Sequence, residues 1–178
     1  MFLLDVDNTL LDNDRVAADP QRYLTREVGP ERQAQYWKIF EQLRVKLGYA
    51  DYLDALQRYR VEHPRDPHLL AVSSFLVNYP FANRLYPEAL NVIERLRAWG
   101  PTVIFSDGDV VFQPRKVERS GLFNAVENRV LICIHKEREL DDVEWRYLPA
   151  DITIERIGEL LHCDLPALLG AGRGRKEP

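Results

Sequence analysis

The chain begins Met1-Phe-Leu-Leu-Asp-Val-Asp-Asn-Thr-Leu-Leu11, an apolar run that ends in two closely spaced acids. The run from Phe2 to Leu4 predicts a short strand that is buried on both faces of a sheet. Asp5 and Asp7 follow directly and are succeeded by turn-forming residues, so we expect the chain to leave the sheet there. Both carboxylates then lie at the carboxyl end of the first strand, the edge at which open α/β sheets bind ligands.

The spacing of the two acids indicates a particular chemistry. Two carboxylates this close repel each other, so they need a cation or a shared proton. Mg²⁺ suits such a pair, because it binds a few carboxylates, waters and substrate phosphate oxygens. An aspartate can also attack phosphorus to form an aspartyl phosphate, while a second acid protonates the leaving group and later activates water. Taken alone, the pair is equally consistent with a strand followed by an ordinary polar turn.

The segment Asp5-Val-Asp-Asn-Thr9, followed by two leucines, resembles the first motif of the haloacid dehalogenase-like (HAD) hydrolases, Asp-x-Asp-x-Thr. The resemblance implies that Asp5 is a nucleophile and that Asp7 is a general acid and base. It also implies that the Asp5 carboxylate and the Asp7 main-chain carbonyl bind Mg²⁺. An acid at position 7 favours the phosphatases of this family over its dehalogenases, which lack the second acid.

The composition is that of an ordinary globular chain. Its 178 residues are enough for one domain with a core and a small insertion. A net charge of -4 gives no indication of nucleic-acid binding. Two cysteines, Cys133 and Cys163, do not make a disulfide framework. With no apolar stretch long enough to cross a bilayer and no signal peptide pattern, we expect no membrane association and a cytoplasmic location. The oligomeric state is not predicted.

Residues 12–85 show helical spacing of apolar residues and no convincing strand pattern. The polar stretch from Asp12 to about Pro20 is predicted to be a linker. Helices are predicted from Pro30 to Lys46, from Tyr52 to Tyr59 and from Leu69 to Val77.

In HAD-like hydrolases, helices inserted between the first and second motifs form a cap that closes over the site and selects the substrate. The resemblance therefore implies an α/β fold, with a doubly wound parallel sheet as its HAD-like Rossmannoid core and an inserted α-helical cap. The core would comprise residues 1–11 and 86–169, and the cap would comprise residues 12–85. Residues 170–178 would form a disordered tail. Alternatively, the inserted helices pack only as structure.

A second strand is predicted where the chain returns to the core. A helix that begins near Pro87 ends at Gly100-Pro101, and the apolar run Thr102–Ser106 follows, which makes a βαβ unit. Ser106 then ends a strand beside the first one, where its hydroxyl can donate a hydrogen bond to a phosphoryl oxygen. This arrangement resembles the second family motif. Asp107 is expected to cap the next helix.

Two lysines are candidates for the cation of the site. Lys136 follows a third predicted strand, Val130–Ile134, and a lysine at that edge can neutralise carboxylates and phosphate. This resembles the third family motif. Lys116 lies on a short predicted helix, Pro114–Ser120, and is expected to face solvent, so Lys136 is preferred.

The fourth family motif is the one that this sequence matches poorly. A fourth strand is predicted at Asp151–Glu155, where the family places one or two aspartates that complete the Mg²⁺ site. Glu155 is the only acid at the expected place, which makes it the candidate third metal ligand. Arg156 stands where a second carboxylate would be and should weaken metal binding. The resemblance covers residues 1–147 well and the remaining residues poorly.

These observations favour a Mg²⁺-dependent hydrolase of small phosphomonoesters, with Asp5, Asp7, Ser106 and Lys136 as its catalytic residues. One alternative is a catalytically weakened family member that binds a phosphorylated ligand or a protein partner. Another is a receiver-like phosphoacceptor module, although receiver domains lack a large helical insertion after the first strand. A dehalogenase is the least favoured.

Overall fold

The structure, a computed structural model, describes residues 1–133 and 152–171 of the chain. Its strands are β1 (Phe2–Leu4), β2 (Thr102–Asp107) and β3 (Val130–Cys133). Its α-helices are α1 (Asn13–Val28), α2 (Pro30–Leu47), α3 (Tyr52–Glu62), α4 (Leu69–Val77), α5 (Ala89–Trp99), α6 (Phe112–Arg119), α7 (Leu122–Ala125) and α8 (Leu165–Ala171). Two 3₁₀ turns cover Phe81–Arg84 and Ile157–His162. The predicted α/β class is confirmed.

The strands form a parallel sheet in the order β1-β2-β3. Leu4 pairs with Ile104, and Ser106 pairs with Ile132. Because parallel strands end at a common edge, this register brings the residues that follow β1 beside the last residues of β2. The predicted meeting of the first acid segment with Ser106 is thereby explained by strand pairing alone.

The two faces of the sheet differ in burial. Leu4, Ile104 and Ser106 lie on a face that is almost fully buried, whereas Leu3 is 60% exposed and Leu131 is 55% exposed on the other face. The prediction that the first strand is buried on both faces is therefore wrong. Both connections step in the same direction along the sheet, and right-handed crossovers of that kind place their helices on one face.

Helix α1 replaces the predicted linker from Asp12 to Pro20, so that prediction is wrong. The Asp12 side chain accepts a hydrogen bond from the Arg15 N–H and caps the helix. Val16, Pro20 and Leu24 are buried at every fourth position, which gives the helix one apolar face against the core. The polar composition concealed this spacing.

The three predicted helices of the insertion are confirmed as α2, α3 and α4. Pro30 begins α2, and Gly48 ends it in a left-handed conformation with φ of 82°. The Asp51 carboxylate accepts a hydrogen bond from the Asp54 N–H at 2.8 Å, and this bond caps the start of α3.

The insertion is joined to the sheet by two adjacent chain segments. Leu11 forms an antiparallel bridge with Leu85, and the Asp12 N–H donates to the Arg84 carbonyl at 2.8 Å. The Arg84 side chain in turn donates to Asp19 of α1 at 3.0 Å. These bonds pin both ends of the insertion beside the loop that carries Asp7.

Aromatic packing fixes the insertion against α6. The ring of Phe112 lies 4.8 Å from that of Tyr52 and 5.2 Å from that of Phe81, measured between centroids. All three side chains are buried. The start of α3 and the start of α6 therefore approach each other, and this contact sets one wall of the site.

The C-terminal region departs from expectation. Residues 152–155 form no strand, so the predicted fourth strand is wrong for the part that the structure describes. The 3₁₀ turn that follows packs on α5, where Arg95 donates to the Cys163 carbonyl at 2.8 Å. The predicted tail, 170–178, begins within α8, and 172–178 lie outside the described residues. None of the helices in 1–133 or 152–171 has the length and apolarity to cross a membrane.

Candidate active site

Asp5 lies at the end of β1, where its carboxylate meets the hydroxyl of Ser106. The Ser106 Oγ donates to Asp5 Oδ1 at 3.0 Å, and Ser106 itself is 3% exposed. Partial burial, together with the negative charges of Asp7 and Asp107, raises the pKa of Asp5 above its usual range, against hydrogen bonds from Val6 and Ser106. The structure thus brings together Asp5 and Ser106, two of the predicted site residues.

Gln113 controls the direction of the Ser106 hydroxyl. Its Nε2 donates to Ser106 Oγ at 3.0 Å, and its side chain is 3% exposed. Because an amide nitrogen only donates, the serine proton is left to point at the Asp5 carboxylate. Gly108 makes room for this side chain, since a Cβ at Gly108 would lie 2.9 Å from the Cβ of Gln113. Sequence reasoning missed Gln113.

The residue that caps the N-terminus of α6 is Asp109. The prediction that Asp107 caps this helix is therefore wrong. Asp109 Oδ1 accepts from the N–H groups of Val111 and Phe112, at 2.8 and 2.6 Å. Burial raises the pKa of the Asp109 carboxyl. Asp107 is exposed at the site instead, where its charge acts on Asp5.

Lys116 is buried against Asp7, so the prediction that it faces solvent is wrong. Its Nζ lies 2.6 and 2.8 Å from the two carboxylate oxygens of Asp7 and 3.0 Å from Asn13 Oδ1. The lysine side chain is 3% exposed and that of Asp7 is 32% exposed. Lys116 lies one helical turn after Gln113, and the two share the buried face of α6. Two polar residues three apart on one helix were the available sequence signal.

The loop between β1 and α1 places Asp7 for this contact. Asn8 adopts a left-handed conformation with φ of 56°, which asparagine tolerates better than most residues. Its Oδ1 accepts from the Asn13 N–H at 2.9 Å. This bond ties the loop to the first turn of α1 and sets Asn13 beside Lys116.

Of the remaining predicted site residues, Glu155 does not join this group. Lys136, the preferred lysine, lies outside the described residues. Glu155, the candidate third metal ligand, lines a second cavity of about 730 Å³ with Asn8 and Thr9. Arg156 lines that cavity too, and its side chain is 86% exposed.

The oxygen donors at the end of β1 suit a hard cation. Asp5 supplies a carboxylate, and the charges of Asp7 and Asp107 act on it. Across 1–133 and 152–171, no three His, Cys, Asp or Glu side chains are grouped closely enough to hold a metal. This donor set fits Mg²⁺, which binds through one or two carboxylates and keeps several waters for substrate oxygens to replace.

A cavity of about 490 Å³ opens beside Asp7, Gln113 and Lys116. Its volume is in the range of small-molecule sites. One wall belongs to the sheet edge and α6, and the other belongs to the insertion. The principal side chains on the first wall are Asp7, Asp107, Gln113 and Lys116, and those on the second are Arg44, Tyr49 and Tyr52.

The family model for haloacid dehalogenase-like hydrolases matches residues 1–146. The chain belongs to this family. The predicted family is thereby confirmed, and the match ends close to Tyr147, beyond which the sequence resemblance is poor.

Solved structures include a close relative of this HAD-like hydrolase. A haloacid dehalogenase-like hydrolase from Burkholderia xenovorans is 50% identical over 92% of this chain and 97% of that one, with a TM-score of 0.79. The HAD-hydrolase YfnB from Bacillus subtilis, bound to magnesium, is 20% identical over 74% and 62%, with a TM-score of 0.46. A HAD-like hydrolase from Xanthomonas campestris is 17% identical over 80% and 67%, with a TM-score of 0.48. A search of curated proteins found no match.

Proposed function

We propose that this HAD-like hydrolase is a cytoplasmic, Mg²⁺-dependent phosphatase of small phosphomonoesters that acts through an aspartyl phosphate on Asp5. One observation carries the proposal. At a single sheet edge, Asp5 accepts a hydrogen bond from Ser106. Asp7, two residues after Asp5, is paired with Lys116. A carboxylate nucleophile, a second acid, a hydroxyl donor and a cation are the groups that phosphoryl transfer through a carboxylate requires.

In the first step an Asp5 carboxylate oxygen attacks phosphorus, the new O–P bond forms, and the ester P–O bond breaks. Asp7 protonates the leaving oxygen. Water, deprotonated by Asp7, then attacks the phosphorus of the aspartyl phosphate and releases inorganic phosphate and the Asp5 carboxylate. The Asp5 carboxylate and the Asp7 carbonyl would hold Mg²⁺, which would supply positive charge to offset the negative charge of the phosphoryl group.

The ion pair between Lys116 and Asp7 places a buried cation beside the proposed acid and base. A phosphoryl group that enters the site competes with Asp7 for the lysine ammonium. Lys116 is therefore a candidate donor to the phosphoryl oxygens as well as to Asp7. Lys136 stays a prediction for the same role.

The proposal is tested first by the metal dependence of turnover. Phosphate release from 4-nitrophenyl phosphate should require Mg²⁺ and stop when EDTA is in excess, with Mg²⁺ in excess of EDTA restoring it. Activity that survives EDTA would contradict a Mg²⁺-dependent mechanism. A phosphorylated protein that persists without turnover would instead favour the receiver-like alternative.

The catalytically weakened member is the second candidate, and a specific observation favours it. Glu155 lies in a different cavity from Asp7, so in the described part of the chain nothing replaces the fourth family motif. Mg²⁺ titrated calorimetrically in the presence of a phosphate analogue distinguishes the two functions. Binding of the analogue without any turnover of phosphate esters would support the weakened member.

Gln113→Leu is expected to lower kcat on 4-nitrophenyl phosphate by about three- to tenfold, the value of one hydrogen bond, with less effect on KM. The leucine fills the space but leaves the Ser106 hydroxyl free to rotate away from Asp5. Gln113→Glu should be worse, because a carboxylate accepts the serine proton and adds negative charge beside Asp5.

Gln42→Leu is the matched control, since Gln42 is exposed on α2. It should leave both kinetic constants unchanged. Equal kcat values for wild-type protein, Gln113→Leu and Gln113→Glu would show that Gln113 does not orient the serine.

A further inference from the structure

The wall that the insertion contributes to the cavity of about 490 Å³ carries one cation, Arg44 on α2, among the described residues. The opposite wall carries Lys116, which is already bound to Asp7 and Asn13. The carboxylates of Asp7 and Asp107 also lie on that wall. A substrate with negative charge at both ends therefore meets Lys116, which is already paired with Asp7, on one wall and Arg44 on the other.

Arg44 is available to a ligand. Its Nε lies 3.4 Å from Glu41 Oε2, one helical turn away, and the two side chains are 59% and 43% exposed. Ion pairs this exposed to solvent contribute little to stability, so an anion in the cavity can displace Glu41. A guanidinium also presents parallel N–H groups that match a carboxylate or phosphate.

Tyr52 lines the same cavity as Arg44 and Asp7. Its side chain is held between the rings of Phe40 and Phe112, with centroids 4.6 and 4.8 Å away. Burial raises the pKa of Tyr52 well above its usual range, the Asp7 charge raises it further, and the Arg44 charge opposes this. Both charges act on one buried phenol, which agrees with the lining of the cavity, where Arg44, Asp7 and Tyr52 occur together.

We propose that Arg44 binds a second anionic group, a carboxylate or phosphate on the leaving-group end of the substrate, while the phosphoryl group to be transferred lies at Asp5. The inference rests on the phosphatase function proposed above. It narrows the substrate class from phosphomonoesters in general to small phosphomonoesters with a second oxyanion, separated from the phosphoryl group by about the width of the cavity.

The test uses ω-carboxyalkylphosphonates with two to five methylene groups, which cannot be hydrolysed, and their neutral carboxamide counterparts. Each is titrated calorimetrically into the wild-type protein with Mg²⁺. At one chain length or more, the carboxylate should bind about tenfold tighter than the amide, as expected for a charge-assisted pair that is open to solvent. In Arg44→Gln that preference should fall to less than about twofold.

Arg58→Gln is the matched control. Arg58 pairs with Asp54 on α3 and does not line the cavity, so this substitution removes the same charge from the insertion at a place away from the cavity wall. It should keep the tenfold preference. Amides that bind as well as carboxylates at every length, or a preference that survives Arg44→Gln, would overturn the role of Arg44 and leave the phosphatase function standing. Failure of every phosphonate to bind would overturn the phosphate site and, with it, this inference.

Discussion

Asp5→Asn should lower the kcat of Mg²⁺-dependent phosphate-ester hydrolysis by about a thousandfold or more, as removal of a catalytic nucleophile does in other hydrolases. The amide has nearly the same shape and can still accept the hydrogen bond from Ser106, which is 3.0 Å away in the wild-type protein. It cannot act as the attacking carboxylate. The measurement is phosphate release from 4-nitrophenyl phosphate, together with capture of labelled phosphate on the wild-type protein but not on the variant.

Asp54→Asn is the matched control for this change. Asp54 pairs with Arg58 on the surface of α3. Asp54→Asn changes the net charge by the same amount as Asp5→Asn and should leave kcat unaffected. Urea unfolding of both variants checks that the fold is retained. If Asp5→Asn hydrolyses the ester at the wild-type rate, Asp5 is not the nucleophile and the proposed mechanism is wrong.

Lys116→Met should lower kcat by about a hundredfold, the usual cost of removing one donor to a charged transition state. The methionine preserves the length and apolar stem of the side chain but leaves Asp7 without the cation that lies 2.6 Å from it. Stability should also fall, by about 1–3 kcal/mol, because a partly buried carboxylate loses its partner. Asp7 is 32% exposed, so solvent limits that loss.

The comparison with Lys136→Met distinguishes the two candidate lysines. Lys38→Met is the control, since Lys38 is exposed on α2 and its loss should change neither activity nor stability. A large loss of kcat in Lys136→Met with wild-type kcat in Lys116→Met would restore the sequence prediction and leave Lys116 a structural role. Losses in both would indicate that two lysines share the phosphoryl oxygens.

Several predictions that depended on short stretches of sequence were right. The three helices of the insertion, α2 to α4, follow from apolar spacing and from local stop signals such as Gly48. The strand that ends at Ser106 follows from an apolar run after a Gly-Pro break. Strand pairing then brings Ser106 to Asp5, because parallel strands finish at one edge.

Predictions that required knowledge of which face of an element is buried were often wrong. The polar composition around Val16, Pro20 and Leu24 predicts a linker, but these residues are buried and make the segment helix α1. The apolar run predicts a first strand buried on both faces, but Leu3 is 60% exposed on one of them.

The sequence alone was sufficient to predict the family, the α/β class and the position of two acids at the first turn. These features depend on the spacing of a few neighbouring residues. Long-range packing was needed to assign Lys116 to Asp7, more than a hundred residues away, and Gln113 to Ser106. A charged or amide side chain on a helix looks the same in sequence whether it meets water or an acid. Burial of that helix face supplies the low-dielectric surroundings in which such a contact becomes strong.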